Sequence, residues 1–121
     1  MQRILAVDDD KDILEVLKYI LEESGYQVHT LSDGNKLIEQ IKEFSPDLIL
    51  LDIMLGNLDG RELCRDVKRK QETHNIPVIM ISASHTARTI NNNNDDGPDD
   101  FLAKPFDITD LLTSIERQLA A

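Results

Sequence analysis

The chain has 121 residues, 40% of them hydrophobic, and its 13 Lys and Arg against 23 Asp and Glu leave a formal net charge of −10. That length builds one core without disulfides, and a single cysteine allows no internal pair. The acidic balance argues against a nucleic-acid or anionic-membrane surface, and no apolar run forms a signal core or approaches the roughly 20 residues of a membrane span, so the expectation is one cytoplasmic domain over residues 1–121.

Residues 3–7 (Arg-Ile-Leu-Ala-Val) read as a buried strand that runs into Asp8-Asp9-Asp10. Ile13, Val16, Leu17, Ile20 and Leu21 keep helical spacing, with Asp10 or Asp12 as cap and Gly25 as the stop. Tyr26 to Leu31 alternates more and reads as a strand nearer an edge. Leu37, Ile38, Ile41 and Phe44 form a second helical stripe, closed by Ser45-Pro46. Asp47 to Leu51 is a continuous apolar strand that ends in Asp52. Leu58-Asp59-Gly60 reads as turn chemistry. A third helix follows over 61–70, carrying Leu63, Cys64 and Val67, with Arg65, Lys68, Arg69 and Lys70 as a solvated basic end.

Pro77 to Ile81 is a fourth strand, leading into Ser82-Ala83-Ser84. The next stretch has only Ala87 and Ile90 as apolar anchors before Asn91 to Asn94, and Pro98 follows Gly97. A helix over 86–98 is therefore expected to be short, frayed or partly disordered. Phe101 to Ala103 is a short fifth strand ending at Lys104-Pro105, and Ile108, Leu111, Leu112, Ile115 and Leu119 mark a last helix. His29, His74 and His85 lack metal-ligand spacing and read as surface or structural residues.

Strands alternating with helices predict an open parallel sheet with helices on both faces, whose site lies beyond the carboxyl ends of the strands. Those ends carry Asp8, Asp9, Asp52, Ser82 and Lys104. Clustered carboxylates resist ionisation together, and a hard divalent cation such as Mg²⁺ relieves the conflict. A carboxylate beside Mg²⁺ and a lysine can attack a phosphoryl group and form an aspartyl phosphate.

Four segments, Val7-Asp8-Asp9-Asp10, Asp52 to Gly60, Ser82-Ala83, and Phe101 to Phe106 with Lys104-Pro105 inside it, together resemble the receiver domain of two-component response regulators over essentially the whole chain. The resemblance implies a CheY-like fold, five parallel strands in the order 2-1-3-4-5. It implies Asp52 as phosphoacceptor and Asp8, Asp9, Asp52 and the backbone carbonyl of Met54 as ligands of Mg²⁺ or Mn²⁺. It implies Lys104 and Ser82 on the phosphoryl group, Ser82 and Phe101 as the switch pair, and a cis bond before Pro105. The implied partners are a sensor histidine kinase or phosphotransfer protein and a downstream effector domain or protein. The implied activity is limited to the domain's own phosphorylation and slow dephosphorylation.

The chain departs from the family pattern in three places. Gly56 and Asn57 replace the usual Pro-Gly after the phosphoacceptor, which predicts a more mobile loop. The Asn run replaces apolar positions of a helix. Ser114 stands where the family's transcription-factor branch has Arg, which argues against that branch's dimer face. The competing reading is a receiver-like protein-binding module that works without phosphorylation. A haloacid-dehalogenase-type phosphatase would need an Asp where Met54 stands, and a flavin site would need a phosphate loop where the first acids stand.

Overall fold

The computed structural model describes residues 1–83 and 97–120. Its strands and helices, in chain order, are β1 (Arg3–Val7), α1 (Lys11–Glu23), β2 (Gln27–Leu31), a 3-10 turn (Gly34–Lys36), α2 (Leu37–Phe44), β3 (Leu48–Asp52), β4 (Met54–Leu55), β5 (Leu58–Asp59), α3 (Gly60–Arg69), β6 (Val78–Ala83), β7 (Asp100–Lys104) and α4 (Ile108–Ala120). The expectation for a helix over 86–98 falls almost wholly outside the described residues.

Five strands form one parallel sheet in the order β2-β1-β3-β6-β7, which is the predicted 2-1-3-4-5 arrangement. Side chains alternate across such a sheet. Leu5, Val7, Ile49, Leu51, Val78 and Met80 face α2 and α3, meeting Leu37, Ile41, Cys64 and Val67. Ile4, Ala6, Leu48, Leu50, Ile79 and Ile81 face α1 and α4, meeting Leu14, Leu17, Leu21, Leu111 and Ile115. Each central strand is thus buried on both faces, which is why it reads as an unbroken apolar run.

The helix ends follow local chemistry. Asp10 caps α1, its Oδ1 accepting from the amides of Asp12 and Ile13 at 3.0 and 3.4 Å. Gly25, at φ +98°, follows the end of α1 in a conformation that favours glycine. His29 Nε2 lies 2.7 Å from Gln40 Oε1 and His74 Nδ1 lies 2.9 Å from the Gln71 carbonyl, so both are structural as expected. His85 lies outside the described residues.

Three sequence expectations need correction. The buried stripe of α1 is Leu14, Leu17 and Leu21, whereas Val16 is exposed. Leu17 and Leu21 are buried as expected and Ile13 packs beside them, but the helix has more apolar positions than its core-facing side uses, so periodicity alone takes in Val16 and misses Leu14. Lys68 is not part of a solvated end. Its side chain is 8% exposed, and its ammonium donates to Asp99 Oδ2 at 2.5 Å and to the Ile76 carbonyl at 2.9 Å. Asp59-Gly60 is not a free turn either. Asp59 caps α3, and Gly60 is that helix's first residue.

The segment between Asp52 and α3 is a two-stranded antiparallel hairpin, with Leu55 opposite Leu58. Gly56 at its tip has φ +62°. Gly60 anchors the far end, its amide donating to the Ile53 carbonyl at 2.6 Å. A Cβ at Gly60 would lie 2.1 Å from the carbonyl oxygen of Asp52, so only glycine fits there.

Candidate functional site: an acidic cleft at the carboxyl edge of the sheet

Parallel strands deliver their carboxyl ends to one edge, and the register fixes which residues meet. Val7 pairs with Leu51, so Asp8 and Asp52 emerge side by side one residue later. Asp52 pairs with Ile81, one residue before Ser82, and Ala83 pairs with Lys104. Residues from four stretches of sequence therefore share one edge.

Lys104 is the hub. Its ammonium donates to Asp8 Oδ2 at 3.2 Å and to Asp52 Oδ2 at 3.4 Å. Asp8 and Asp52 are buried, and the Lys104 side chain is 28% exposed. Asp8 Oδ1 also accepts from the Asp10 amide at 2.9 Å. Asp9 is exposed, and its Oδ2 accepts from the Gly56 amide at 3.2 Å. One carboxylate oxygen from each of Asp8, Asp9 and Asp52 lies within 4.8 Å of the others.

The electrostatics follow. Burial pushes the Asp8 carboxyl up to about 6. The Asp52 charge adds to the rise, while the Asp10 amide and Lys104 oppose it. Burial draws the Lys104 ammonium down, but the charges and hydrogen bonds of Asp52 and Asp8 outweigh it and leave its pKa above the ordinary value. One ammonium thus pairs with two of three clustered carboxylates. The donor set is all oxygen and carries excess negative charge, which fits a hard divalent cation better than a thiophilic one.

Beside these groups lies a cleft of about 430 Å³. Asp52, Ser82 and Lys104 line its strand side, and Met54, Asn57 and Arg61 line the hairpin side. The side chain of Met54 is exposed. Phe101 is half-buried, packs against the core on the α2 and α3 side and pairs with Met80, two residues before the Ser82–Ala103 pair. The Lys104–Pro105 peptide bond is cis.

Two features of the cleft had no sequence signal. The Gly56–Asp9 contact depends on the hairpin's fold. Arg61 sits at the lip, where its Nε and Nη2 donate to both carboxylate oxygens of Asp59 at 2.7–3.2 Å. The Arg61 hydrogen bond is the main cause holding the Asp59 carboxyl below its ordinary value.

A family model described as the response regulator receiver domain matches residues 4–116. Solved structures agree in fold. A protein from Chloroflexus aurantiacus J-10-fl, described as a candidate response regulator, is 31% identical with a TM-score of 0.90, over 99% of this chain and 98% of that one. The receiver domain of NtrX from Brucella abortus is 33% identical with a TM-score of 0.87, over 98% of each chain. The signal receiver domain of a signal transduction histidine kinase from Syntrophus aciditrophicus is 32% identical with a TM-score of 0.87, over 99% of this chain and 91% of that one.

Proposed function

The chain belongs to the response regulator receiver domain family, a family of two-component phosphorelay signalling, and on that premise we propose that residues 1–121 form one receiver that accepts a phosphoryl group on Asp52. Receiver domains are signalling domains rather than classical enzymes. The observation that carries the reading is the convergence of Asp8 and Asp52 on one ammonium, Lys104, from positions 96 and 52 residues away.

In this reading an Asp52 carboxylate oxygen attacks phosphorus as the bond to the donor's leaving group breaks. Lys104, already charged and placed beside Asp52, pairs with a phosphoryl oxygen. The Ser82 hydroxyl, on the same cleft wall, donates to another. Asp8, Asp9 and Asp52, joined by the backbone carbonyl of Met54, would hold Mg²⁺ or Mn²⁺, which when bound supplies positive charge beside the phosphoryl oxygens. Lys104, between Asp8 and Asp52, offsets the repulsion of those two carboxylates. The phosphoryl group then acts as a ligand that favours one of two conformations, with Ser82 and Phe101 moving together.

The donor is a sensor histidine kinase or phosphotransfer protein, and the output goes to a downstream effector domain or protein. The acidic balance disfavours direct nucleic-acid binding by this domain. No helix among the described residues is long and apolar enough to cross a membrane, and a cytoplasmic setting fits the proposed kinase partner.

Intact mass after incubation with acetyl phosphate and Mg²⁺ tests the reading on wild type and Asp52→Ala. A gain of about 80 Da in wild type, absent in the variant, is the expected result. No gain in wild type would overturn it in favour of a binding module that works without phosphorylation.

A further inference from the structure

The cleft carries a second cation that the phosphoacceptor reading leaves unused. Arg61 follows Gly60, whose amide is pinned to the Ile53 carbonyl, so the first turn of α3 sits directly against the chain beyond Asp52. Arg61 lines the same cleft as Asp52, Ser82 and Lys104. Asp59 holds the guanidinium by its Nε–H and an Nη2–H. The same carboxylate accepts the Arg61 backbone amide at 2.8 Å, which fixes where the side chain starts. The Arg61 side chain is 45% exposed. A guanidinium carries five N–H donors in a planar fork, so Asp59 leaves three of them for another partner.

An incoming phosphodonor is an anion, and it approaches a site with three clustered carboxylates. A guanidinium at the mouth lowers that barrier, and its fork suits two phosphoryl oxygens at once. Asp59 neutralises part of this charge before any donor arrives.

We propose that Arg61 is a positioning residue that recruits the anionic phosphodonor to the cleft, and that Asp59 is the counter-charge setting how much of that cation the donor meets. This rests on Asp52 being the phosphoacceptor. The chemistry separates attraction from transfer. With acetyl phosphate, a P–O bond forms to Asp52 as the P–O bond to acetate breaks, and acetate leaves with the electron pair. With phosphoramidate, the P–N bond breaks and the already protonated nitrogen leaves as ammonia. Arg61 gives up no proton in either case. Its contribution therefore scales with donor charge, which is larger for dianionic acetyl phosphate than for monoanionic phosphoramidate.

The test follows phosphoryl uptake by intact mass for wild type, Arg61→Gln, Asp59→Asn and the double variant, with both donors and Mg²⁺. Asparagine keeps a cap acceptor for α3 while removing the charge. Arg61→Gln is expected to lower kcat/KM for acetyl phosphate about three- to fivefold, mainly through KM, and to lower it less for phosphoramidate. Asp59→Asn is expected to raise the acetyl phosphate value by a similar factor. The double variant is expected to match Arg61→Gln, and added salt to shrink every difference. Equal losses for the two donors, or a loss confined to kcat, would overturn the role of Arg61. An Asp59→Asn effect that persists without Arg61 would overturn the role of Asp59. If wild type takes up no phosphoryl group from either donor, the Asp52 reading falls and this inference falls with it. Uptake by wild type with an unchanged donor ratio in Arg61→Gln sinks this inference alone.

Discussion

The amide of Gly56 donates to Asp9 Oδ2 at 3.2 Å, joining the hairpin tip to the loop after β1 across 47 residues of sequence. Proline, the residue that the family resemblance leads one to expect at this position, could not make this bond. It has no N–H, and its ring fixes φ near −65° where Gly56 has +62°. The substitution that sequence analysis reads as a gain in loop freedom thus also supplies a donor to one of the acidic residues.

Gly56→Ala separates these two effects. A Cβ there meets nothing within 4 Å, so only the backbone conformation penalises it. Urea denaturation followed by far-UV circular dichroism should show a loss of about 1 kcal/mol. Gly56→Pro, which also removes the donor, should lose more. Equal stability of Gly56→Pro and wild type would mean that the hairpin tip does not hold this conformation in solution.

Asp8 makes stability depend on pH in a direction opposite to most carboxylates. Its folded pKa is raised to about 6 from 3.8, so between those values the folded chain holds a proton that the unfolded chain has released. Without divalent metal, its contribution lowers stability as pH rises through that window and then levels off above about pH 6. Asp8→Asn removes the charge and should stabilise the metal-free protein at pH 7 by about 1–3 kcal/mol, with little gain at pH 4. Denaturant midpoints at the two pH values provide the check, and the same gain at both would rule out Asp8 ionisation as the cause.

Metal should reverse that penalty. Mg²⁺ added at pH 7 is expected to raise Tm, and EDTA to restore the lower value. Because Asp8 must be ionised to serve as a ligand, the affinity should weaken by up to about tenfold per pH unit below about 6. Titration calorimetry at pH 7.5 and pH 5 measures this. Equal affinities at the two pH values would exclude Asp8 from the ligand set.

Lys104→Met keeps much of the side chain's bulk and removes the ammonium between Asp8 and Asp52. Two buried carboxylates then face each other without the cation that bridged them. Metal-free stability at pH 7 should fall by about 1–3 kcal/mol. The Asp8 titration, followed by NMR, should move above 6, because a cause lowering it has gone. An unmoved Asp8 titration would show that Lys104 does not pair with it in solution.

The sheet was legible because burial on both faces leaves runs such as Leu48 to Leu51 no polar positions to blur the pattern. The convergence of Asp8, Asp52, Ser82 and Lys104 followed from strand order, since each stands at the carboxyl end of a strand of one parallel sheet. What the sequence hid depends on neighbours distant in the chain. Lys68 reads as a surface lysine until Asp99 and the Ile76 carbonyl enclose its ammonium. Arg61 is one charge among many until Asp59 holds it at the cleft. In α1, Val16 is as apolar as its buried neighbours yet faces outward.

Gly60 is a fixed point between two adjustable sides of the cleft. With the Asp52 carbonyl where a methyl group would go, no side chain can be tried at this position without moving the residue proposed to react. Among the described residues that line the cleft, those outside the proposed reacting groups lie on either flank, in the segment from Ile53 to Asp59 or at Arg61. A lineage or an engineer seeking a different donor preference has those few positions as its alphabet.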